Sequence, residues 1–196
     1  DGVGVVENIL IGLELLSESI NSPDNLSIPD DGYFGSSFNL RESSTRSLFW
    51  LSDMQYNNYE VVVGARLDRH SNYGYQFGPK VSMMYKKNNN YTYRMNMSKN
   101  FRSPNLKELY MNWSHGGGGG FILQGDSTLS PEDSYNLSAT LEFHKSNYYA
   151  AMKCYVNHID NMILDIDDFM SSDDFSPGDT LTYENIKSVR ITGLDL

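Results

Sequence analysis

Apolar and polar residues alternate along much of this chain, and a period of two residues is typical of β-strands. Residues 91–98 place Tyr and Met on one face and Thr, Arg, Asn and Ser on the other, and residues 135–143 repeat the pattern. The alternation predicts roughly eight strands of about ten residues, with no convincing helix. The predicted strands cover residues 9–18, 46–54, 59–68, 79–86, 91–98, 135–143, 147–156 and 185–196.

The segments between the predicted strands differ in length in a regular way. Short turns fall at residues 55–58, 87–90 and 144–147, and long loops at residues 21–44, 100–132 and 164–181. Up-and-down strands with short turns at one end and long loops at the other are typical of outer-membrane β-barrels. We therefore predict an all-β fold, an antiparallel up-and-down transmembrane β-barrel. The alternative is a soluble antiparallel barrel whose apolar face is its core.

The two faces of the predicted strands suit the two sides of such a barrel. Polar residues would line the lumen: Arg94, Asn96, Ser98, Asn136, Ser138 and Thr140. Aromatic residues border the short turns on the apolar face, as in the girdle at a membrane interface: Tyr85, Tyr91, Phe143 and Tyr148. Because a barrel of eight strands would be narrow and filled, and strand patterns break off at both chain ends, we expect an arc of a larger barrel.

Composition narrows the classes of function. The chain has 25 acidic and 15 basic residues and a net charge of -10, which argues against nucleic-acid binding. Its single cysteine excludes a disulfide within the chain. The chain has no serine nucleophile elbow, zinc-ligand pair or phosphate loop, so we do not expect an enzyme.

Four motifs resemble segments of the TonB-dependent outer-membrane receptors. They are GARLDRHS at 64–71 with FGPKVS at 77–82, FRSPNLKELY at 101–110, GDSTLSPEDS at 125–134, and YEN at 183–185 with TGLDL at 192–196. Their order and spacing agree with the family over nearly the whole chain, and LKELYMNW is most similar to receptors of the Bacteroidetes type. The motif residues are Phe101, Arg102, Pro104, Leu106, Glu108, Leu109, Tyr110, Gly125, Leu129, Pro131, Glu132 and Ser134.

The resemblance implies a plugged barrel of about 22 strands in the outer membrane of a Gram-negative bacterium. Such a receptor imports a scarce ligand with energy delivered through the TonB complex. Residues 1–196 would be a partial barrel domain, with the plug and both ends of the barrel absent from it. Expected partners are outer-membrane lipid, the TonB complex through a missing N-terminal region, and a small iron or haem ligand.

The cargo implied by the resemblance is haem or a ferric chelate, with no tightly bound cofactor. One alternative is a receptor of the same family that imports cobalamin or another cargo. A second alternative is a soluble all-β binding module that recognises its ligand through long loops.

One histidine is a candidate iron ligand. In family members that take up haem, FRAP-like and NPNL-like segments flank a histidine that ligates the iron, and His115 lies in that interval. A neutral imidazole is a suitable axial ligand for haem iron, and glycines 116–120 would let the loop close over a flat ligand. The other candidate ligand contacts are Phe101, Arg102, Tyr110, Trp113 and Phe121.

The same residues also have other interpretations. Ser103 replaces the family's alanine, and residues 126–128 lack the Asn and Pro of the second motif. His115 can equally be an exposed histidine on a mobile loop, or a contact to a different ligand.

Charged residues leave two further alternatives open. An acidic cluster offers oxygen ligands for Ca²⁺ or is a solvated loop: Asp165, Asp167, Asp168, Asp173, Asp174 and Asp179. Three arginines of the predicted lumen either guide an anionic ligand or pair with carboxylates in the barrel wall. They are Arg66, Arg94 and Arg102, and the carboxylates are Glu60, Asp68 and Glu142.

Overall fold

A computed structural model describes residues 5–22, 38–115, 120–164 and 178–196. In chain order its elements are β1 (Val5–Ser22), β2 (Phe38–Tyr56), β3 (Tyr59–His70), β4 (Gly74–Lys86), β5 (Tyr91–Arg102), α1 (Leu106–Tyr110), β6 (Asn112–His115), β7 (Phe121–Gln124), β8 (Glu132–Lys145), β9 (Tyr148–Ile163), β10 (Thr180–Thr182) and β11 (Asn185–Asp195).

Eight long strands form one antiparallel sheet in the order β1-β2-β3-β4-β5-β8-β9-β11. Each strand pairs with the next long strand along the chain, which is the predicted up-and-down arrangement. Within the described residues β1 and β11 do not pair with each other, so the sheet is an open arc with two edges. The prediction of an all-β antiparallel arc with eight strands is confirmed.

The strands are longer than predicted, mainly at the ends that carry the long loops. β2 has 19 residues and β9 has 16, because the hydrogen-bonded ladder continues through polar residues that do not alternate with apolar ones. The segment predicted as one loop at 100–132 contains α1 and the hairpin β6–β7. A parallel pairing of β7 with β10 completes a second, three-stranded sheet.

The expectation of no helix is wrong, and the local sequence explains why. Asn105 caps α1 by accepting hydrogen bonds from the backbone N–H groups of Lys107 and Glu108, at 2.9 Å each. Glu108 in turn accepts from the N–H of Asn105 at 2.7 Å. This reciprocal capping box satisfies donors that a short helix otherwise leaves unpaired. Asn-x-x-Glu at 105–108 is therefore a helix signal that the strand pattern obscured.

Replacing Asn105 with alanine is expected to destabilise α1 locally by about 1 kcal/mol, because both capped N–H groups lose their acceptor. Hydrogen exchange at the amides of Lys107 and Glu108 in the full-length receptor measures this change. Asn105→Asp is the matched control, since aspartate caps equally well. Unchanged protection of both amides in the alanine variant would contradict the role of the cap.

The register separates an apolar face of the eight-stranded sheet from a polar face. Arg94, Asn96 and Ser98 of β5 lie opposite Thr140, Ser138 and Asn136 of β8, so the polar set forms one continuous surface, as predicted. The apolar face exposes large side chains of every long strand, among them Leu13, Leu48, Leu67, Phe77, Met95, Leu137 and Leu194. A contiguous exposed apolar surface of this extent marks contact with a membrane or another protein.

Aromatic rings mark the short-turn end of the apolar face. Tyr85 stacks on Tyr59 with ring centroids 4.5 Å apart, and Tyr91 packs against Phe143 at 5.0 Å. Tyr148 lies beside the same end of the sheet and is exposed. The predicted girdle is thus present as cross-strand aromatic pairs. None of the helices among the described residues has the length and apolarity to cross a membrane.

Buried apolar residues lie beyond the strand ends rather than between sheet layers. Leu109, Leu129 and Ile163 form one cluster, and Phe121, Leu123 and Leu181 form another. Both lie at the end of the sheet opposite the aromatic girdle, in the connecting segments and at the last residue of β9. The packed core of the described chain therefore stabilises its loop end.

Candidate functional site

Motif residues that are distant in sequence meet at the loop end of β5, β8, β9 and β11. We call this assembly the rim cluster, and define it by Arg102, Glu108, Leu109, Gly125, Leu129, Glu132, Ile163 and Asn185. It joins α1 to the strand ends by ion pairs, backbone hydrogen bonds and apolar packing. Three of the four family motifs contribute to it.

The charged part of the rim cluster is one guanidinium between two carboxylates. Arg102 Nη1 lies 3.0 Å from Glu108 Oε1, and Arg102 Nη2 lies 2.6 Å from Glu132 Oε1. Glu132 also accepts a hydrogen bond from the backbone N–H of Ile163 at 2.8 Å. Because Glu108 is only 8% exposed, its charge depends on this arginine for compensation. These contacts of Arg102 and Glu132 tie α1 to β5, β8 and β9.

The backbone of residues 125–126 packs directly against the end of α1. Gly125 donates its N–H to the carbonyl of Met111 at 2.6 Å, and Asp126 donates to the carbonyl of Glu108 at 2.9 Å. A Cβ at Gly125 would lie 2.6–2.7 Å from backbone atoms of Leu109, Tyr110 and Met111. The motif requires glycine here because two backbones approach each other closely.

Tyr73, in the turn after β3, supports the same cluster from the neighbouring strands. Its hydroxyl donates to the carbonyl of Leu129 at 3.3 Å. Burial raises the pKa of Tyr73, and the nearby Tyr110 and Glu108 act in the same direction. The phenol therefore stays protonated at neutral pH and remains a donor. No local pattern in the sequence indicates this contact, which spans 56 residues.

Asn185, from the YEN motif, closes the other side of the rim cluster. Its side chain accepts from the N–H of Ser130 at 2.7 Å and donates to the carbonyls of Ser130 at 2.9 Å and Asn161 at 2.7 Å. Tyr183, two residues earlier, packs against both apolar clusters. This motif thus fastens the start of β11 to the segment before β8.

Trp113 and Phe121, two of the candidate ligand contacts, meet in the small sheet. Their rings pack edge to face with centroids 5.7 Å apart. Phe121 is buried with Leu123 and Leu181. The backbone of His115 pairs with that of Phe121 in the hairpin, whereas the side chain of His115 lies outside the described part of the structure. Iron ligation by His115 stays a prediction.

The remaining candidate contacts lie nearer the sheet. Tyr110 ends α1, and the guanidinium carbon of Arg41 lies 4.8 Å from its ring centroid. Phe101 and Arg102 line a recess of about 360 Å³ at the loop end, together with Arg66 and Gln76. The candidate ligand contacts thus lie in three places: the recess, the rim cluster and the small sheet. Their role as ligand contacts stays a prediction.

Two arginines of the polar face, Arg66 and Arg94, are paired with carboxylates. Arg66 binds Asp68 and Glu14, each at 2.7 Å, and Arg94 binds Glu142 at 2.8 Å. The predicted pairing with Asp68 and Glu142 is confirmed, while the further carboxylate comes from Glu14 rather than Glu60. Both guanidinium charges are therefore compensated by carboxylates of the barrel wall.

Metal ligands do not cluster within the described residues. No group of three or more His, Cys, Asp or Glu side chains there is arranged to hold an ion. Most of the acidic cluster considered for Ca²⁺ lies outside the described residues, and only Asp179 falls within them. His70 is buried and uses both ring nitrogens in hydrogen bonds, to Ser43 Oγ and to the N–H of Asn72, at 3.1 Å each.

Comparisons with known proteins agree with this architecture. Among curated proteins, the chain is 24% identical over 206 residues to the ferric enterobactin receptor PirA of Pseudomonas aeruginosa, covering 95% of this chain and 28% of that protein. It is 29% identical over 126 residues to the ferrienterobactin receptor of Escherichia coli, covering 60% of this chain and 17% of that protein. The chain therefore spans less than a third of the length of these relatives.

Solved structures show the same fold. The crystal structure of the siderophore receptor PirA from Pseudomonas aeruginosa superimposes with a TM-score of 0.73 at 20% identity, over 95% of this chain and 32% of that one. The ferric enterobactin receptor PfeA in complex with BCV-L6 gives a TM-score of 0.72 at 18% identity, over 95% and 30% of the two chains. The family model described as "TonB dependent receptor-like, beta-barrel" matches residues 4–196. The chain therefore belongs to the TonB-dependent receptor family, as part of its β-barrel.

Proposed function

We propose that this chain is part of the barrel wall of an outer-membrane receptor that takes up a ferric chelate. The observation that carries the proposal is the division of one sheet into an apolar face with an aromatic girdle and a polar face of paired charges. An apolar face without a covering layer suits lipid, and a polar face suits a lumen. This arrangement does not favour the soluble binding module, whose apolar face would be a core.

A ferric siderophore is the cargo that the relatives support best. The named relatives are receptors for ferric enterobactin or siderophores, and haem gains no support from them. TonB supplies the energy in this proposal, through a region of the receptor outside residues 1–196. The hairpin β6–β7, with Trp113, His115 and Phe121, and the recess beside Phe101 and Arg102 are the proposed places of cargo contact.

Uptake of radioactive iron tests the proposal in a Gram-negative host that lacks its own ferric-chelate and haem receptors. The full-length receptor containing this chain is expressed, and ferric enterobactin and haem are supplied separately. We expect uptake from ferric enterobactin that disappears in a host without TonB. Uptake from haem alone, or uptake that does not need TonB, would contradict the proposal.

His115→Ala separates the two cargoes in the same assay. A ferric catecholate brings its own iron ligands, so the variant is expected to retain uptake from ferric enterobactin. Loss of haem uptake in this variant would instead support the imidazole as an iron ligand. Either result counts only if the variant receptor is recovered in the outer-membrane fraction in the same amount as the wild type.

A further inference from the structure

Two arginines lie opposite each other on the apolar face. Arg46 of β2 is the direct partner of Arg69 in β3, so their Cα atoms are about 4.5–5.5 Å apart. The register continues this row to Leu15 in β1 and to Tyr75 in β4. Both arginine side chains are exposed, and the Arg69 guanidinium carbon lies 5.6 Å from the centroid of the Tyr75 ring.

The next row of the same face is entirely apolar. It consists of Leu13, Leu48, Leu67 and Phe77, which are direct partners across four strands. Their exposed fractions are 79%, 49%, 41% and 56%. The arginine pair therefore lies next to an exposed apolar surface, nearer the end of the strands that carries the long loops. Cations above a hydrocarbon-like surface match the layering of lipid head groups above acyl chains.

No carboxylate neutralises this pair among the residues that the structure describes. Arg66, Arg94 and Arg102 each have a carboxylate oxygen within 2.8 Å, whereas Arg46 and Arg69 form no ion pair with any residue in the described ranges. Glu14 and Asp68 belong to the opposite face, where they bind Arg66. Glu42 shares the apolar face but precedes Arg46 by four residues, about 13 Å along an extended strand.

Like charges directly opposite each other destabilise an antiparallel pair. A shared anion between the two guanidinium groups would reverse that effect, and arginine binds phosphate with two parallel hydrogen bonds. The anion must come from outside the described residues, because Glu14 and Asp68 bind Arg66 on the opposite face and Glu42 lies about 13 Å away along the strand.

We propose that Arg46 and Arg69 bind the phosphate of a membrane lipid whose acyl chains cover Leu13, Leu48, Leu67 and Phe77. The proposal rests on the proposed function, since it requires the apolar face to lie in a bilayer. The short turns of such barrels face the periplasm. Because the arginine pair lies near the opposite end of the strands, it would lie in the outer leaflet. The occupant is thus a phosphorylated lipid of that leaflet, and its acyl chains and its phosphate both contribute to binding.

Binding of lipid A to the full-length receptor in zwitterionic detergent micelles tests the proposal. The probes are lipid A with two phosphates and the same lipid without phosphates. For the double variant Arg46→Gln/Arg69→Gln, we expect the affinity for the phosphorylated probe to fall about thirtyfold, since each cation near a membrane surface contributes about 1 kcal/mol. The affinity for the dephosphorylated probe should not change. Equal affinity of wild type and double variant for the phosphorylated probe would overturn the proposal.

Two further variants keep this result interpretable. Arg190→Gln removes an exposed arginine of the same face whose direct partner is His158 rather than another arginine, and we expect it to bind like wild type. Arg46→Lys/Arg69→Lys keeps the charge but not the paired hydrogen bonds, so binding should be intermediate. A loss in Arg190→Gln as large as that in the double glutamine variant would overturn the assignment to this pair.

Inorganic phosphate distinguishes a lipid site from a simple anion site. We expect millimolar phosphate to leave lipid binding largely intact, because the acyl chains add affinity. Full displacement by phosphate would overturn the lipid assignment. A receptor that folds without inserting into outer membrane refutes the proposed function, whereas an inserted barrel that does not prefer the phosphorylated probe refutes only this inference.

Discussion

Arg102→Gln is expected to lower the local free energy of unfolding of the rim cluster by about 3 kcal/mol. The arginine compensates two carboxylates, Glu108 and Glu132, and Glu108 is nearly buried. Removing one partner of a buried ion pair costs about 3–5 kcal/mol, and the partial exposure of Arg102 places the expected loss at the lower end of that range. Hydrogen exchange at Leu109, Gly125 and Ile163 in the full-length receptor measures the change.

Arg94→Gln is the matched control for this prediction. Arg94 belongs to the same strand and its side chain is 44% exposed, against 45% for Arg102, but it pairs with a single carboxylate. An exposed pair of this kind contributes about 0–1 kcal/mol. Similar losses of protection in the two variants would show that Arg102 has no special role. Arg102→Lys should be intermediate, because an ammonium group cannot reach both carboxylates with a planar fork.

Gly125→Ala is expected to destabilise the contact between α1 and the following segment by about 3 kcal/mol. The added methyl group would lie 2.6–2.7 Å from backbone atoms of Leu109, Tyr110 and Met111, and no flexible side chain there can move aside. Overpacking of this kind costs about 1–3 kcal/mol, and moving the backbone apart would also weaken the hydrogen bond from the Gly125 N–H to the carbonyl of Met111. Limited proteolysis of the full-length receptor, with cleavage mapped to residues 105–130, reports the loosening.

Ser127→Ala tests whether any change in this turn has the same effect. Ser127 lies two residues later and is exposed, so its substitution should leave the cleavage rate unchanged. If Gly125→Ala were cleaved no faster than Ser127→Ala, the close approach of the two backbones would not matter for stability. Iron uptake measured on the same variants shows whether a rigid rim cluster is needed to present the β6–β7 hairpin.

The rim cluster gives the family motifs a structural explanation. Their charged, glycine and amide positions hold α1 and the adjoining segments against four strand ends. Loops that carry binding residues work best on a rigid support. The motif residues therefore support α1 and the base of the β6–β7 hairpin at the loop end of the sheet.

The strands of the sheet were predictable because the alternation of apolar and polar residues is a local property of the sequence. In residues 91–98 the period of two fixes which side chains share a face, and the matching pattern in 135–143 fixes the pairing register. The capping box at Asn105 is equally local, and its spacing is sufficient to predict α1. The same sequence also determined the family, since its motifs occur in the family's order.

The contacts of the rim cluster required the tertiary structure. Arg102 pairs with Glu108 and Glu132, and Arg66 pairs with Glu14 rather than with Glu60. Strand register and the reversal of the chain determine which charged groups come within 3 Å of each other. The same is true of Arg46 and Arg69, which are 23 residues apart in sequence and direct neighbours across two strands. Arg69 lies one residue beyond the predicted strand 59–68, and only the pairing of β2 with β3 places the two cations side by side.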